Sequence, residues 1–180
     1  WALSQGASQA IVPLYRATIH ELPRWTGKLK AHTEQVVWQL PFLQFAADMP
    51  LLQEAIAGLV QAGFSHFELS NPGQFHLLKK FSHLHLSGGY RLFTLNSQAL
   101  KVWNDLGLER ATLYVEDDRE NMADLLRLPF PLTVVVYGQI QAMVTKIKIK
   151  EITGAASIYS DRGDAYRLQH RDGLTYLQAA

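Results

Sequence analysis

Three features are absent from this sequence: cysteine, a long apolar run and an excess of one charge. Without cysteine the chain holds no disulfide and no cysteine-ligated metal or iron–sulfur centre. No apolar run approaches the roughly 18 residues of a membrane-spanning helix, so a membrane partner is not expected. With 17 basic and 16 acidic residues the formal net charge is +1, which gives the whole chain no electrostatic attraction for nucleic acid.

The composition that remains is typical of a globular protein with a proper core. The chain has 180 residues, of which 48% are hydrophobic and 18% charged. It begins at Trp1 without a methionine and without a basic-then-apolar signal pattern. We therefore expect an internal start, and hence a piece of a longer protein. The absence of disulfides fits a cytoplasmic location.

Alternating strand and helix patterns predict a mostly parallel sheet. The predicted strands are Ile11–Tyr15, Val36–Leu40, His66–Leu69, His83–Leu86, Ala111–Val115 and Leu132–Tyr137. The fourth is expected to resume over Arg91–Thr94, and the unbroken β-branched run of the sixth predicts burial on both faces. Between the first two strands, a capping box at Thr18–Glu21 followed by Pro23 predicts a short helix.

The pattern changes after the sixth strand. Residues 146–150 alternate lysine and isoleucine, which is typical of a strand with one wet face. Turn sequences at Asp161–Asp164 and Arg171–Gly173 then separate short strands. We expect residues 1–140 to form a βα barrel-like region, with residues 141–180 as an antiparallel β extension packed on it in one structural domain. The fold class is α/β, an incomplete TIM-like (β/α) barrel, because six strands are too few to close one of eight.

Polar residues at the predicted strand ends are the first candidates for a site. In parallel βα folds sites form at the carboxyl ends of strands, which places Asn96, Glu116, Tyr137 and Gln139 near one rim. Glu116 is either an acid, base or substrate-orienting carboxylate, or a residue that favours a helix dipole. Asn96 is either a ligand-binding amide or a helix cap.

A lysine-rich face is the second candidate. Lys146, Lys148 and Lys150 share one side of the predicted strand and could contact an RNA backbone. The same lysines could equally form a solvated face that protects a strand edge from aggregation.

The sequence gives little support for a metal site or for serine catalysis. His83 and His85 lie two apart and could chelate from one strand face, but no carboxylate stands at ligand spacing, so no metal site is predicted. Ser70, Ser97 and Ser160 lie outside any nucleophile elbow, so proteolysis by a serine triad has no support.

Several short segments, taken in order, follow the pattern of one family. They are Leu59–Val60 with Ala62–Phe64, Thr94–Leu100, Trp103–Gly107, Tyr137–Gly138, Met143–Lys146, Ser160–Gly163 and Arg171–Gly173. Together they resemble the peptidase U32 family, the collagenase-like proteases, and Glu116 stands where that family has a recurrent glutamate. The resemblance implies a barrel-type fold in a cytoplasmic, largely bacterial setting. It also implies proteolysis, or oxygen-independent hydroxylation of RNA bases or quinone precursors.

The chain departs from that family at the positions that carry its chemistry. The family's cysteines are missing, Lys148 stands near the first of them, and Gln141 replaces a usual proline. The N-terminal strands that complete the family's barrel are absent as well. We therefore expect a non-catalytic scaffold or substrate-positioning portion of a larger U32-type enzyme, inactive alone and without a cofactor of its own. Its partner would be the remainder of the same polypeptide, an upstream barrel.

Two alternatives to the scaffold role remain open. The chain could be an RNA-contacting module of an RNA-hydroxylating enzyme of this type, or a catalytic domain that uses Glu116. The residues predicted to bind substrate are Asn96, Tyr137, Gln139, Lys146 and Lys148.

Overall fold

A computed structural model describes residues 1–147 and 157–179. The chain divides into two compact units, Trp1–Val134 and Val135–Ala180, so the division falls a few residues before the predicted boundary at 140. Within the described part of the chain, every helix is too short or too polar to cross a membrane.

The first unit is an α/β structure built on one parallel sheet. Its strands are β1 Ala10–Pro13, β2 Val36–Gln39, β3 His66–Leu69, β4 His85–Gly88, β5 Leu108–Thr112 and β6 Leu132–Thr133. Its helices are α1 Arg16–Leu29, α2 Met49–Gln61, α3 Gln74–Leu78, α4 Ser97–Asp105 and α5 Arg119–Leu125. The strands lie side by side in chain order, all parallel, and the sheet curls into a half-barrel. The predicted α/β class and mostly parallel sheet are confirmed.

The hydrophobic core lies on the helix-covered face of this sheet. Trp38 of β2 and Phe67 of β3 are paired in register and fully buried. Apolar residues of the helices pack against them: Leu22 of α1, and Leu52, Ile56 and Leu59 of α2. Since right-handed crossovers between sequential parallel strands place their helices on the same side, the opposite face of the sheet carries none of the helices of residues 1–134.

The first helix is longer than the sequence predicts. Helix α1 has 14 residues, contains Pro23 and Thr18, and begins after Tyr15, so the predicted capping box at Thr18–Glu21 is wrong. Ile19 and Leu22 lie on its apolar stripe and pack on the core. Tertiary packing of that stripe outweighs the local cost of the proline.

Three strand predictions also need correction. Residues 90–92 form a 3₁₀ turn instead of resuming β4, and β5 begins at Leu108 rather than at Ala111. Strand β6 ends at Thr133, and burial of the sixth run on both faces is wrong, because Val136 is 93% and Tyr137 97% exposed. An edge strand pairs on one side alone, so β-branched composition does not by itself bury it.

The second unit carries an antiparallel sheet, as predicted. Its strands are β7 Gln141–Thr145, β8 Ser157–Tyr159, β9 Ala165–Arg171 and β10 Leu174–Ala179, in the order β7-β10-β9-β8. The β9–β10 hairpin turns at Asp172 and Gly173, with φ of 52° and 74°. Two positive φ values in a two-residue loop match the twist of the flanking strands. A strand was predicted over residues 146–150, but Lys146 is not part of a strand, because β7 ends at Thr145. Lys148 and Lys150 lie outside the described residues.

Candidate functional site

Four adjacent strands place polar side chains at one level of the helix-free face. We call Gln39, Glu68, Ser87 and Arg110 the middle row. They are paired in register from strand to strand: Gln39 with Glu68, Glu68 with Ser87, and Ser87 with Arg110. Their sequence neighbours, such as Trp38 and Phe67, pack under the helices, and side chains alternate along a strand. The middle row therefore points to the inner, concave face of the half-barrel.

Glu68 is the buried carboxylate of this row. It is only 6% exposed, and its Oε1 accepts a hydrogen bond of 2.7 Å from Nε2 of Gln39. Burial raises the pKa of Glu68, an effect that the Gln39 hydrogen bond and the charge of Arg110 partly oppose. Gly89 leaves room for the carboxyl group, because a Cβ there would lie 2.9 Å from Glu68 Oε1. The inner face thus holds a carboxyl group that retains its proton to higher pH than an exposed glutamate.

A second polar row lies nearer the amino ends of the strands. We call His66, His85 and Glu109 the lower row. The two imidazole rings, paired in register, stack with centroids 4.6 Å apart and an angle of 16° between the planes. His85 Nδ1 lies 2.9 Å from Glu109 Oε1, and His66 Nε2 lies 3.3 Å from Glu34 Oε2. Each imidazole therefore has a carboxylate partner that fixes its orientation.

The lower row lines one pocket together with Ser87 and Arg110 of the middle row, and we call it the inner pocket; Gln39 and Glu68 lie on the same face but do not line it. It has a volume of about 220 Å³. Its lining residues are Gln9, Val37, His66, His85, Leu86, Ser87, Glu109, Arg110 and Pro131. The pocket combines hydrogen-bond donors and acceptors with both signs of charge, which suits a small polar molecule.

Arg110 has spare binding capacity in this pocket. Its Nη2 donates to Gln9 Oε1 at 2.7 Å, which ties β5 to the segment before β1. No carboxylate of residues 1–147 or 157–179 forms a salt bridge with it. A guanidinium group has five N–H donors, so most of them are left for a ligand.

A metal site is not formed by these side chains. Among the described residues, no group of three or more histidine, aspartate or glutamate side chains is placed to hold a metal ion. The interpretation that His83 and His85 share a strand face is wrong, because β4 begins at His85 and His83 precedes it with a φ of 61°.

Asn96 and Glu116, which were predicted from strand ends, lie outside the inner pocket. Asn96 caps α4 by accepting from the Ala99 backbone N–H at 2.9 Å, the cap role that the sequence left as one alternative. Glu116 is exposed and accepts from the Tyr114 hydroxyl at 3.1 Å. Neither Asn96 nor Glu116 lines the inner pocket.

The other predicted residues belong to the second unit or lie outside the described residues. Tyr137, Gln139 and Lys146 are exposed residues of the second unit. Lys148 lies outside the described residues. The roles assigned to all of these residues, including the RNA contact, stay predictions.

Sequence reasoning missed the middle row, although a signal was present. Strands β2 to β5 are central in a parallel sheet, and such strands are normally apolar on both faces. Here each of the four strands has a polar residue within its apolar pattern: for example, Glu68 stands between Phe67 and Leu69, and Arg110 precedes Ala111. A polar residue at the same position of several central strands indicates an inner face that contacts something other than a core.

The raised pKa of Glu68 leads to a stability prediction. The folded state binds more protons than the unfolded state between the ordinary pKa near 4.5 and the raised one, so stability falls as pH rises through that interval and is constant above it. Glu68→Gln keeps an oxygen acceptor for Gln39 and removes the ionisation, so we expect a more stable protein at neutral pH with a flatter pH profile. Urea unfolding followed by tryptophan fluorescence measures this, since Trp1, Trp25, Trp38 and Trp103 all lie in the first unit.

The matched control for this measurement is Glu54→Gln, which changes an exposed glutamate of α2. It should leave the profile of the parent protein unchanged. If the stability of Glu68→Gln depended on pH in the same way as that of the parent protein, the raised pKa of Glu68 would be contradicted.

Comparison of the chain with protein-family models, curated proteins and solved structures gives no significant match. The resemblance to the U32 family therefore depends on the sequence segments alone. What the protein binds is inferred below from the chemistry of the inner pocket.

Proposed function

We propose that this chain is a substrate-positioning half-barrel of a U32-type protein and that it holds a small polar molecule on its inner face. The middle row is the observation that carries the proposal. Four polar side chains from four strands meet on a face where a parallel sheet is normally apolar, and one of them is a buried carboxylate. A buried ionisable group lowers stability, and such groups concentrate where a protein binds or reacts.

The architecture supports the same proposal. Strands in chain order with helices outside are the building pattern of a TIM-like (β/α) barrel, the fold that the U32 resemblance implies. In a closed eight-strand barrel, inner side chains fill the interior. Six strands leave that interior open, so the inner side chains border a pocket instead.

Positioning fits this chain better than bond making. The family's cysteines are absent, and the Glu68 carboxyl group is held by Gln39. A carboxyl group fixed in this way and an arginine with spare donors two strands away on the same face together orient a polar ligand well. The chemistry would then be supplied by the remainder of the polypeptide.

A ligand screen on the 180-residue chain tests the proposed function. Pooled neutral, anionic and cationic metabolites of small size are added, and backbone amide shifts are recorded by NMR. We expect at least one pool to shift amides of β3, β4 and β5 that belong to the middle and lower rows. Ser87→Leu, which fills the inner pocket, should weaken that ligand about tenfold or more.

Gln98→Leu on the exposed face of α4 is the matched control and should bind like the parent. Tryptophan fluorescence and the amide spectrum show whether Ser87→Leu is folded. The proposal would be overturned if no pool shifted an amide of the inner face. It would also be overturned if the ligand bound folded Ser87→Leu as tightly as the parent protein.

A further inference from the structure

We propose that the inner pocket takes a short monocarboxylic acid that carries a hydroxyl or amino group at its far end. Arg110 binds the carboxylate, and Glu109 accepts a hydrogen bond from the far group. This inference rests on the proposed function and adds the chemical class of the ligand.

The burial and the hydrogen bonding of Arg110 indicate that the group it binds is a carboxylate. Its guanidinium group is partly buried, its orientation is fixed by Gln9, and it has no salt bridge to a described residue. A fixed, planar fork of N–H donors matches the two oxygens of a carboxylate. Because Gln9 is neutral, it holds the arginine without neutralising it.

The charge of the pocket favours a monoanion over a phosphate. Among the described residues, Arg110 is the one arginine that lines the inner pocket and no lysine lines it, while Glu109 adds a negative charge. The imidazoles of His66 and His85 are each already bonded to a carboxylate. A phosphate monoester would bring almost two negative charges at neutral pH against a single guanidinium group.

The spacing of the two rows sets the length of the ligand. Ser87, level with Arg110, and His85, bonded to Glu109, are two residues apart on β4 and face the same side. Two residues along a strand span about 6.6 Å, roughly the length of an extended four-carbon chain with a polar group at each end. A volume of about 220 Å³ holds such a molecule.

Glu109 is placed to recognise the far group. The strand β5 is irregular at this position, since Leu86 pairs with Leu108 whereas the next residue, Ser87, pairs with Arg110. The bulge brings Glu109 to His85, whose Nδ1 lies 2.9 and 3.0 Å from the two carboxylate oxygens. A carboxylate has about four acceptor positions, so it can also accept from a hydroxyl or ammonium group.

The test titrates the 180-residue chain with γ-hydroxybutyrate, γ-aminobutyrate, butyrate and inorganic phosphate, with amide shifts as the readout. We expect the two substituted acids to shift Ser87 and Arg110 and to bind about tenfold more tightly than butyrate or phosphate. Arg110→Lys should weaken both about tenfold, because an ammonium group lacks the planar fork. Glu109→Gln should reduce the preference for γ-aminobutyrate over butyrate while butyrate binding persists.

Arg127→Lys is the matched control, since Arg127 is exposed, lies just after α5 and forms a salt bridge with Asp124 of that helix. Unchanged binding by Arg110→Lys, or substituted acids that shift no inner-face amide, would overturn the inference. If neutral metabolites occupy the inner pocket while these acids do not, the ligand class is wrong and the proposed function stands. If no metabolite of any charge occupies it, both fail.

Discussion

Replacing Gln74 with methionine is expected to lower the free energy of unfolding of the first unit by about 3 kcal/mol, because three backbone groups lose their partner. The Gln74 side chain is fully buried. Its Oε1 accepts from the backbone N–H groups of Ser70 at 2.6 Å and Asn71 at 3.2 Å, and its Nε2 donates to the Pro41 carbonyl at 2.8 Å. Methionine preserves the side-chain volume and supplies none of these hydrogen bonds.

The location of Gln74 links this prediction to the site. Pro41 follows β2 and Ser70 follows β3, so one side chain joins the two loops that come after Gln39 and Glu68. Loss of that connection should also loosen the hydrogen bond between Gln39 and Glu68. We therefore expect Gln74→Met to bind any inner-pocket ligand more weakly even where it remains folded.

Urea unfolding followed by tryptophan fluorescence measures the change, since all four tryptophans report on the first unit. Gln98→Met is the matched control, because Gln98 is exposed on α4, and it should shift the unfolding midpoint little. A midpoint for Gln74→Met that equals that of Gln98→Met would show that the buried amide contributes nothing.

Replacing Trp38 with alanine should destabilise the first unit by about 4 kcal/mol, the typical cost of removing a buried aromatic side chain. Trp38 is 0% exposed and meets Phe64 edge to face with ring centroids 5.5 Å apart. The total stability of a domain is about 5–15 kcal/mol, so the variant should be close to unfolding.

Trp38→Phe is the informative companion. The Trp38 Nε1 is buried and has no hydrogen-bond partner in the described part of the chain, so phenylalanine removes an unsatisfied donor together with part of the ring. These effects oppose each other, and we expect a loss of only about 1 kcal/mol. Of the three remaining tryptophans, Trp25 and Trp103 pack against the core and report unfolding in both variants. A phenylalanine variant as unstable as the alanine variant would show that the lost indole volume dominates.

The sequence by itself determined the features that depend on near neighbours in the chain. The alternation of strands and helices follows from hydrophobic periodicity, and it predicted the α/β class and the antiparallel tail. Asn96 was predicted either as a cap of α4 or as a ligand-binding amide, and its side chain accepts a hydrogen bond from the backbone N–H of Ala99, three residues later. A cap is a local interaction, so the sequence around it suffices.

Other local predictions failed where packing decided the outcome. Pro23 indicated a short first helix, yet α1 continues through it because Ile19 and Leu22 pack on the core. The β-branched run at 132–137 indicated a buried strand, but β6 lies at the sheet edge and ends at Thr133.

Only the tertiary structure decided the site. Arg110 meets Gln9 across 101 positions of sequence, His66 stacks on His85, and Glu68 lies level with Ser87 because of the strand register. Register is fixed by the burial of a whole face, since a slip of one residue would turn the middle row into the core. Strand composition indicates that a polar residue is present, whereas the pairing of strands decides which polar residues share one pocket.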